Sequence, residues 1–310
     1  MEGYIIKIET GGVAVTASDS KAEKVLSIFG ESLSLKRTEV PEEINNRIIL
    51  SSAGTDVIIN GSKKKDNFNN ENNISFVLDP EKTPRVLMRD GTPVRNSDGS
   101  VNFLSEEEWM WRQLSKLSAL IGSCFFESGG FLIHSGLVRF DPGNKNESKG
   151  VLLAGASGSG KSTASGMFRF PWFSLSDDLT LVVRLSSGEY FAYPFPTWSR
   201  VLWKKDKVQF KSVIIERPVR LKTVIFIDRG PESKMKSLGK GEALCLLAEL
   251  VKQANEYFVL NMERSKIQEF NKAYFLNLNN FVRKVKCCSH NLKIDDTFWK
   301  DVESAPEFRT

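Results

Sequence analysis

This chain of 310 residues contains few cysteines and few histidines, and its net charge is small. The cysteines are too few for the disulfide framework of a small secreted domain, and none forms a CxxC pair: Cys124, Cys245, Cys287 and Cys288. No apolar run approaches the roughly 18 residues of a membrane helix, and the first residues lack the basic and apolar regions of a signal peptide. We therefore expect free thiols, a reducing compartment, a cytoplasmic location and no membrane partner.

The excess of positive charge is equally small. There are 43 Lys and Arg residues against 38 Asp and Glu residues, which leaves a formal charge of +5. Basic residues cluster briefly at 63–65 and 204–205, and no basic stripe alternates with aromatic residues, so we expect no nucleic-acid partner. With 41% hydrophobic and 26% charged residues the composition is that of a globular protein, and its length suggests two domains or one enlarged domain.

Residues 1–104 contain short apolar runs bounded by Gly, Asn, Asp and Pro, which is the pattern of a small β-rich domain. Six of these runs are predicted strands: YIIKIE, GVAVTA, RIILSS, DVIING, ISFVLD and RVLMRD. The Asn-rich stretch 61–73 is predicted to be an exposed loop, and residues 90–100 a turn-rich linker. The first predicted domain therefore ends at residue 104.

Residues 105–310 are predicted to form a second domain, of the α/β class. The segment that begins at Ser105 has acidic residues first and then apolar residues at helical spacing, which predicts a helix. Further helices are predicted at about 240–255, at about 263–274 and in IDDTFWKDVES at the carboxyl end. Apolar runs predict strands at 130–140, 150–155 and 223–228, in WFSLSDD, and in a hairpin of LTLVVRL with EYFAYPF.

Residues 155–163 read GASGSGKST, which satisfies the pattern G-x-x-x-x-G-K-[ST] without a mismatch. The apolar run VLLA precedes this loop, and a helix is predicted to follow it, so a chance Gly- and Ser-rich turn is disfavoured. In such a loop backbone N–H groups turn toward phosphates, Lys161 would reach the β and γ phosphates, and Ser162 would hold Mg²⁺. The predicted nucleotide site comprises Gly155, Ser157, Gly158, Ser159, Gly160, Lys161, Ser162 and Thr163.

The absence of a guanine-reading N-K-x-D element downstream favours ATP over GTP. Phosphoryl transfer also needs a carboxylate for the metal and a group that orients or deprotonates the nucleophile. Asp177 and Asp178 follow the run FSLS and are candidates for both tasks, because a metal would relieve their mutual repulsion. A turn or a cap between two strands would explain the pair equally well.

His134 lies in FLIHSGLV, before the loop strand. A lone histidine among apolar residues is more often a core group than a catalytic one. Asp228 ends TVIFID and could be a further metal carboxylate, but Arg229 and Gly230 follow at once, so a turn explains it as well and Asp178 ranks above it. Cys287, Cys288 and His290 supply too few ligands for zinc, and a strand with semi-buried thiols is predicted there.

The combination of a strand with His-Ser-Gly, a Walker A loop, a short helix and an Asp-Asp pair resembles the HPr kinase/phosphorylase family, of the phosphoenolpyruvate-carboxykinase-like class, over roughly residues 130–200. The resemblance implies an α/β fold, with an HPr-kinase-like P-loop domain of mixed sheet after the β-rich domain. It also implies that Asp177 is the base toward a serine hydroxyl, assisted by His134, with Asp178 near the metal. True HPr kinases are hexamers, which leaves a homo-oligomer open for this chain.

The chain departs from true HPr kinases after the Asp pair. The Glu-Ile-Arg-Gly signature that supports a second metal site in that family is absent, so phosphorolysis and HPr itself as the substrate do not carry over. The segment YPFPTWSR, at 193–200, resembles a smaller group of related proteins that includes the kinase-like ScmC component of the SynChlorMet cassette. Arg200 ends this segment and is a candidate contact for phosphate or an acidic peptide, although an arginine that merely ends a loop is as good an interpretation.

These observations predict an ATP- and Mg²⁺-dependent kinase that transfers a γ-phosphate to a Ser/Thr-type hydroxyl. The acceptor would be a peptide, a small protein or a small metabolite. Because a phosphate-binding loop alone does not define the reaction, two alternatives stay open: a nucleotide-gated peptide-binding module, and an ATPase that drives a partner.

Overall fold

The computed structural model describes residues 2–8, 11–41, 44, 46–52, 58–59, 72–80, 82–85, 92–143, 148–156, 158–166, 170–203, 213–215, 217–230, 234–259, 262, 264–292 and 298–304. These residues form a mixed α/β structure with two mixed sheets and eight helices. The chain divides into two compact units: Met1–Lys7, Gly11–Leu117 and Trp198–Lys211 in the first, and Ile8–Thr10, Ser118–Thr197 and Ser212–Thr310 in the second. The domain boundary after residue 104 stays a prediction.

The first unit contains a six-stranded sheet. Its strands are β1 (Glu2–Ile8), β2 (Gly11–Ala17), β3 (Thr38–Glu39), β4 (Asn46–Ser51), β5 (Ile58–Ile59) and β6 (Asn72–Val77), in the order β3-β1-β2-β4-β6-β5. Strands β2, β4 and β6 run parallel, whereas β3 and β5 pair antiparallel with their neighbours. Parallel neighbours require a crossover connection, and helix α1 (Ser20–Ser32) packs on β2 and β4 in that role.

Helix α1 corrects the strands-only description of residues 1–104. The Asp19 side chain caps it by accepting hydrogen bonds from the backbone N–H groups of Lys21 and Ala22, at 3.1 and 3.0 Å. Its buried apolar residues recur at helical spacing: Ala22, Val25, Leu26 and Phe29. The apolar spacing and the cap that predict a helix are therefore present in the sequence. The short apolar runs on either side of this segment are typical of strands.

Other amino-terminal predictions have mixed outcomes. In the predicted loop 61–73, Asn72 and Asn73 belong to β6, and the other residues lie outside the described part of the chain. Residues 86–90 of the predicted strand 85–90 also lie outside it. Residues 92–100 include a turn and an isolated bridge between Arg95 and Val101. The predicted helix after Ser105 is confirmed as α2 (Glu106–Ser123).

The second unit contains a nine-stranded sheet. Its strands are β7 (Phe131–His134), β8 (Gly136–Phe140), β9 (Lys149–Ala154), β10 (Trp172–Ser176), β11 (Leu179–Arg184), β12 (Tyr190–Phe195), β13 (Val219–Arg229), β14 (Lys234–Ser237) and β15 (Lys286–Leu292). The order is β10-β8-β9-β13-β12-β11-β7, and β15 pairs with both β13 and β14. The predicted hairpin is confirmed as β11 and β12, while the run 130–140 forms two strands because it breaks at Ser135.

The helices that follow in chain order are α3 (Lys161–Gly166), α4 (Trp198–Trp203), α5 (Lys240–Ala254), α6 (Glu256–Val259), α7 (Arg264–Phe281) and α8 (Phe298–Ser304). Helix α4 belongs to the first unit and the others to the second. Helix α7 continues beyond the predicted end at residue 274. In the described part of the chain no helix has the length and apolar character needed to cross a membrane.

The prediction that the cysteines form no disulfide framework is confirmed, since none of the four, all of which the structure describes, is in a disulfide. Cys287 and Cys288 lie buried on β15, so the predicted strand at this position is confirmed as well. Burial raises the pKa of the Cys287 thiol to about 12, with Cys288 as a smaller cause. Nearby, β8, β9 and β13 share an apolar core with Trp172 and helix α8.

Candidate functional site

Several chain segments meet at one edge of the nine-stranded sheet, where β9 ends. Strand β8 runs antiparallel to β9, so β8 begins at this edge, and β10 runs antiparallel to β8, so β10 ends there. Strand β7 ends and β11 begins at the same place, because Leu179 pairs with His134. The registers thus bring His134 and the Asp177–Asp178 pair beside the loop that follows Ala154.

The loop after β9 has backbone geometry that requires glycine. Gly155, Gly158 and Gly160 have φ angles of 142°, 78° and 110°, values that side-chain-bearing residues adopt only at a cost. A Cβ on Gly155 would lie 2.6 Å from the Ile227 carbonyl oxygen and 2.7 Å from Ser159 Oγ. The glycines of the sequence motif therefore have a conformational function, and the loop passes close to the end of β13.

Lys161 begins helix α3 and lies buried within this loop, with 7% of its surface exposed. Its Nζ donates hydrogen bonds to the carbonyl oxygens of Gly155 and Ala156, at 2.7 and 3.0 Å. Burial lowers the pKa of Lys161, and the Asp178 carboxylate opposes that shift. A buried ammonium of this kind is stabilised by an anion, as an ion pair or a bound phosphate.

A cavity of about 210 Å³ joins the loop to the acidic pair. Its described lining residues are His134, Gly158, Gly160, Lys161, Ser162, Thr163, Asp177 and Asp178. Eight predicted site residues therefore surround one space. Gly155 and Ser159 lie on the same loop without lining the cavity, and Ser157 falls outside the described residues.

His134 lies next to the second acid of the pair. Its Nε2 is 3.5 Å from Asp178 Oδ1. Burial lowers the pKa of His134, the Asp178 carboxylate raises it, and the Lys161 ammonium lowers it. Because burial dominates and the ordinary pKa is about 6.5, the imidazole is neutral at pH 7 and can exchange a proton with a neighbouring group.

Asp177 has a different partner, which the sequence analysis did not single out. The hydroxyl of Thr197 donates a hydrogen bond to Asp177 Oδ1. Thr197 lies in the segment 193–200, the segment that carries the family resemblance and ends at Arg200. Knowledge of the hairpin register would have pointed to Thr197. Leu179 pairs with Phe195, and the same register continued by two residues sets Thr197 opposite Asp177.

A buried network of hydroxyl groups fixes the backbone around the acids. Thr180 donates a hydrogen bond to the Ser135 carbonyl oxygen at 3.1 Å, so its one proton is used there. Ser176 and Thr180 lie 3.3 Å apart through their hydroxyl oxygens, and Ser176 is then the donor. The network links the end of β10 to the start of β11 and ties both to the junction of β7 and β8 at Ser135, and it thereby stabilises the short connection, Asp177–Asp178, between β10 and β11.

Two other candidates, Asp228 and His290, are not among the described residues that line this cavity. Asp228 is exposed near the end of β13 and does not line the cavity in the described part of the chain. Arg200 lies in helix α4, and its side chain is outside the described residues. His290 is buried on β15, and no group of three or more His, Cys, Asp or Glu side chains among the described residues could hold a metal ion.

A substitution at Gly155 would test the loop geometry. We expect Gly155→Ala to lower the free energy of unfolding by about 1–3 kcal/mol, because its Cβ meets the Ile227 carbonyl oxygen in a conformation that already strains an L residue. Urea unfolding followed by circular dichroism measures this. Gly143→Ala is the matched control, since Gly143 also has positive φ but nothing within 4 Å of its Cβ position. Equal losses in the two variants would contradict the close approach.

The low pKa of His134 has a consequence for stability. Since the folded state resists protonation of this group, the unfolded state binds more protons as the pH falls below about 6.5, and stability decreases. We expect His134→Gln to lose less stability than the unmutated protein between about pH 7 and 5. His290, whose pKa burial also lowers, keeps its contribution in both proteins. Parallel stability–pH curves for the two proteins would show that His134 does not titrate in this way.

The residues present fit a nucleotide phosphate and a divalent cation. The glycine loop offers backbone N–H groups, Lys161 supplies a buried positive charge, and the Ser159 hydroxyl oxygen is buried without a hydrogen-bond partner in the described structure. Mg²⁺ bound with phosphates takes one or two carboxylates and keeps several waters. Ser162 and Asp178, which both line the cavity, are suited to such a cation.

Comparisons with known proteins give one family. No curated protein matches the chain. The model of the family described as "SynChlorMet cassette protein ScmC" matches residues 101–307, which include the loop, His134, both acids and Thr197. This match covers about two thirds of the 310 residues, and the chain therefore belongs to the ScmC family of SynChlorMet cassette proteins.

Proposed function

We propose that this protein is an ATP-dependent kinase that phosphorylates a Ser/Thr-type hydroxyl on a peptide, a small protein or a small metabolite. The observation that carries the proposal is that one cavity is lined by both Lys161 of the glycine loop and the adjacent acids Asp177 and Asp178. Phosphoryl transfer needs this combination of a phosphate-binding cation, a metal carboxylate and a base. The resemblance to the HPr kinase/phosphorylase family supports the same function and an HPr-kinase-like P-loop domain.

When bound, ATP would supply the γ-phosphoryl group and Mg²⁺ would neutralise phosphate charge. Lys161 and the loop N–H groups hold the phosphates, and the Lys161 ammonium stabilises the charge that develops during transfer. Asp177 accepts the proton of the acceptor hydroxyl. Ser162 and Asp178 would hold the cation, and the neutral His134, whose Nε2 lies 3.5 Å from Asp178 Oδ1, would help to position Asp178.

The environments of the two acids support this division of roles. Asp177 accepts a hydroxyl hydrogen bond, whereas Asp178 lies beside His134 and influences the pKa of Lys161. Adjacent carboxylates with different neighbours can take different tasks in one site. The free thiols suit a cytoplasmic location, and the dispersed charge suits a peptide or metabolite acceptor better than nucleic acid.

Transfer of label tests the proposal. The purified protein is incubated with γ-labelled ATP, Mg²⁺ and either an extract of its source or a set of Ser- and Thr-containing peptides. We expect label on an acceptor with the unmutated protein, and labelling that is slower by about 10²–10⁴-fold with the Asp177→Asn variant. ATP that binds tightly without yielding a labelled product would instead support the nucleotide-gated peptide-binding module. Release of phosphate that requires a partner protein would support the ATPase.

A further inference from the structure

Thr197 lies two residues after the end of β12, next to the hairpin that β12 forms with β11. Each paired position in this hairpin follows one antiparallel register, from Arg184 with Tyr190 to Leu179 with Phe195. Asp177 and Thr197 each lie two residues beyond the last paired position, Leu179 with Phe195, and the same register continued past the strand ends sets them opposite each other. The pairing of β11 with β12 thus brings the Thr197 hydroxyl to Asp177 Oδ1.

The Thr197 hydroxyl contacts one oxygen of a cavity residue, Asp177, without being a described lining residue itself. Asp177 lines the cavity, and Thr197 is not among its described lining residues. Thr197 itself is half-buried. Asp177 thus belongs to the space where substrates would bind, and one of its oxygens accepts a hydrogen bond from a residue outside the described lining, so Thr197 is placed to orient Asp177.

The backbone that carries Thr197 has little freedom. Pro194 and Pro196 each fix a φ angle and restrict the residue before them to extended conformations. Phe195, between them, is completely buried and pairs with Leu179. On the opposite strand, Thr180 is tied to Ser135. The chain is therefore anchored within two residues of Thr197, at Phe195, and within three residues of Asp177, at Thr180.

We propose that Thr197 is a positioning residue that sets the orientation of the Asp177 carboxylate. The inference rests on the proposed function of Asp177 as the base. A carboxylate can rotate about two side-chain bonds, and a base must face the hydroxyl proton within hydrogen-bond distance. Misplacing such a group by about 1 Å can cost about 100-fold in rate, so a donor that fixes one oxygen affects catalysis without touching the substrate.

The kinetic test compares Thr197→Val, which keeps the shape and removes the donor, with Thr197→Ser, which keeps the hydroxyl. Water serves as the acceptor, so the probe is hydrolysis of γ-labelled ATP with Mg²⁺. We expect Thr197→Val to lower kcat by about 10–100-fold, with KM for ATP within about two-fold, and Thr197→Ser to retain most of the activity. Combined with Asp177→Asn, Thr197→Val should cause no further loss, because the two residues act as one unit.

A structural measurement without nucleotide complements the kinetics. In crystals of the nucleotide-free protein we expect one Asp177 carboxylate orientation with threonine or serine at position 197, and a rotated or divided one in Thr197→Val. An unchanged Asp177 in Thr197→Val would overturn the proposal, as would an unchanged kcat. Label that accumulates on Thr197 itself would also overturn it, because the residue would then be an acceptor.

The outcomes separate this inference from the proposed function. If the unmutated protein hydrolyses ATP, Asp177→Asn abolishes hydrolysis and Thr197→Val does not affect it, the kinase proposal survives and the role of Thr197 fails. If the unmutated protein neither hydrolyses ATP nor transfers its phosphate, the proposed function fails. The crystal structures then still decide whether Thr197 sets the orientation of Asp177.

Discussion

Replacing Asp177 by Asn is expected to lower the rate of phosphoryl transfer by about 10²–10⁴-fold, the usual contribution of a general base. The amide keeps the size of the side chain and can still accept the Thr197 hydrogen bond, but it cannot take up the acceptor proton. Binding of ATP should change little, because in the proposed site the loop and Lys161, and not Asp177, would hold the phosphates. Single-turnover transfer from γ-labelled ATP measures the rate, and fluorescence titration with a labelled nucleotide measures the affinity.

Asp228→Asn is the matched control for this experiment. Asp228 is an exposed carboxylate near the end of β13, the neighbour of the loop strand β9, and it is not among the described residues that line the cavity. We expect its transfer rate to stay close to that of the unmutated protein. If Asp228→Asn lost activity while Asp177→Asn kept it, the metal or base assignment would move to Asp228.

Replacing Lys161 by Met is expected to lower both the affinity for ATP and the rate of phosphoryl transfer. A hydrogen bond to a charged group contributes about 1.5–3 kcal/mol, so the dissociation constant for ATP should rise by about 10–150-fold. Loss of the ammonium that stabilises developing charge should lower the transfer rate by at least a further ~100-fold. Calorimetric titration with ATP and Mg²⁺ gives the affinity.

Lys149→Met provides the comparison for Lys161→Met. Lys149 lies at the opposite end of the same strand, β9, and is half-buried. The Lys149→Met variant tests whether the loss of any lysine near this strand lowers the affinity for ATP. Equal losses of ATP affinity in the two variants would refute a specific phosphate contact by Lys161 and would indicate a general effect of charge or stability.

Local patterns in the sequence predicted most elements of the second unit. The strand before the loop, the hairpin of β11 and β12 and the helices α2, α5 and α7 all follow from apolar spacing and turn residues. The glycine loop also followed from local sequence, because glycine is required wherever φ is positive. Helix α1 was missed although its apolar spacing and the cap at Asp19 were visible.

Long-range pairing was the part that the sequence could not show. The run 130–140 reads as one strand, and it becomes β7 and β8 because its two halves pair with different strands, β11 on one side and β9 with β10 on the other. The same break brings His134 toward Asp178. Thr197 and Asp177 lie 20 residues apart, and their contact depends on a hairpin register that local patterns do not specify.

The most direct test of the proposed site is a crystal structure of the protein with Mg²⁺ and a non-hydrolysable ATP analogue. We expect the γ-phosphate to contact Lys161 Nζ, the cation to be held by Ser162 and Asp178, and the Asp177 carboxylate to face the open side of the γ-phosphate. An analogue bound away from the glycine loop, or an Asp177 side chain that faces away from the γ-phosphate, would contradict the kinase proposal.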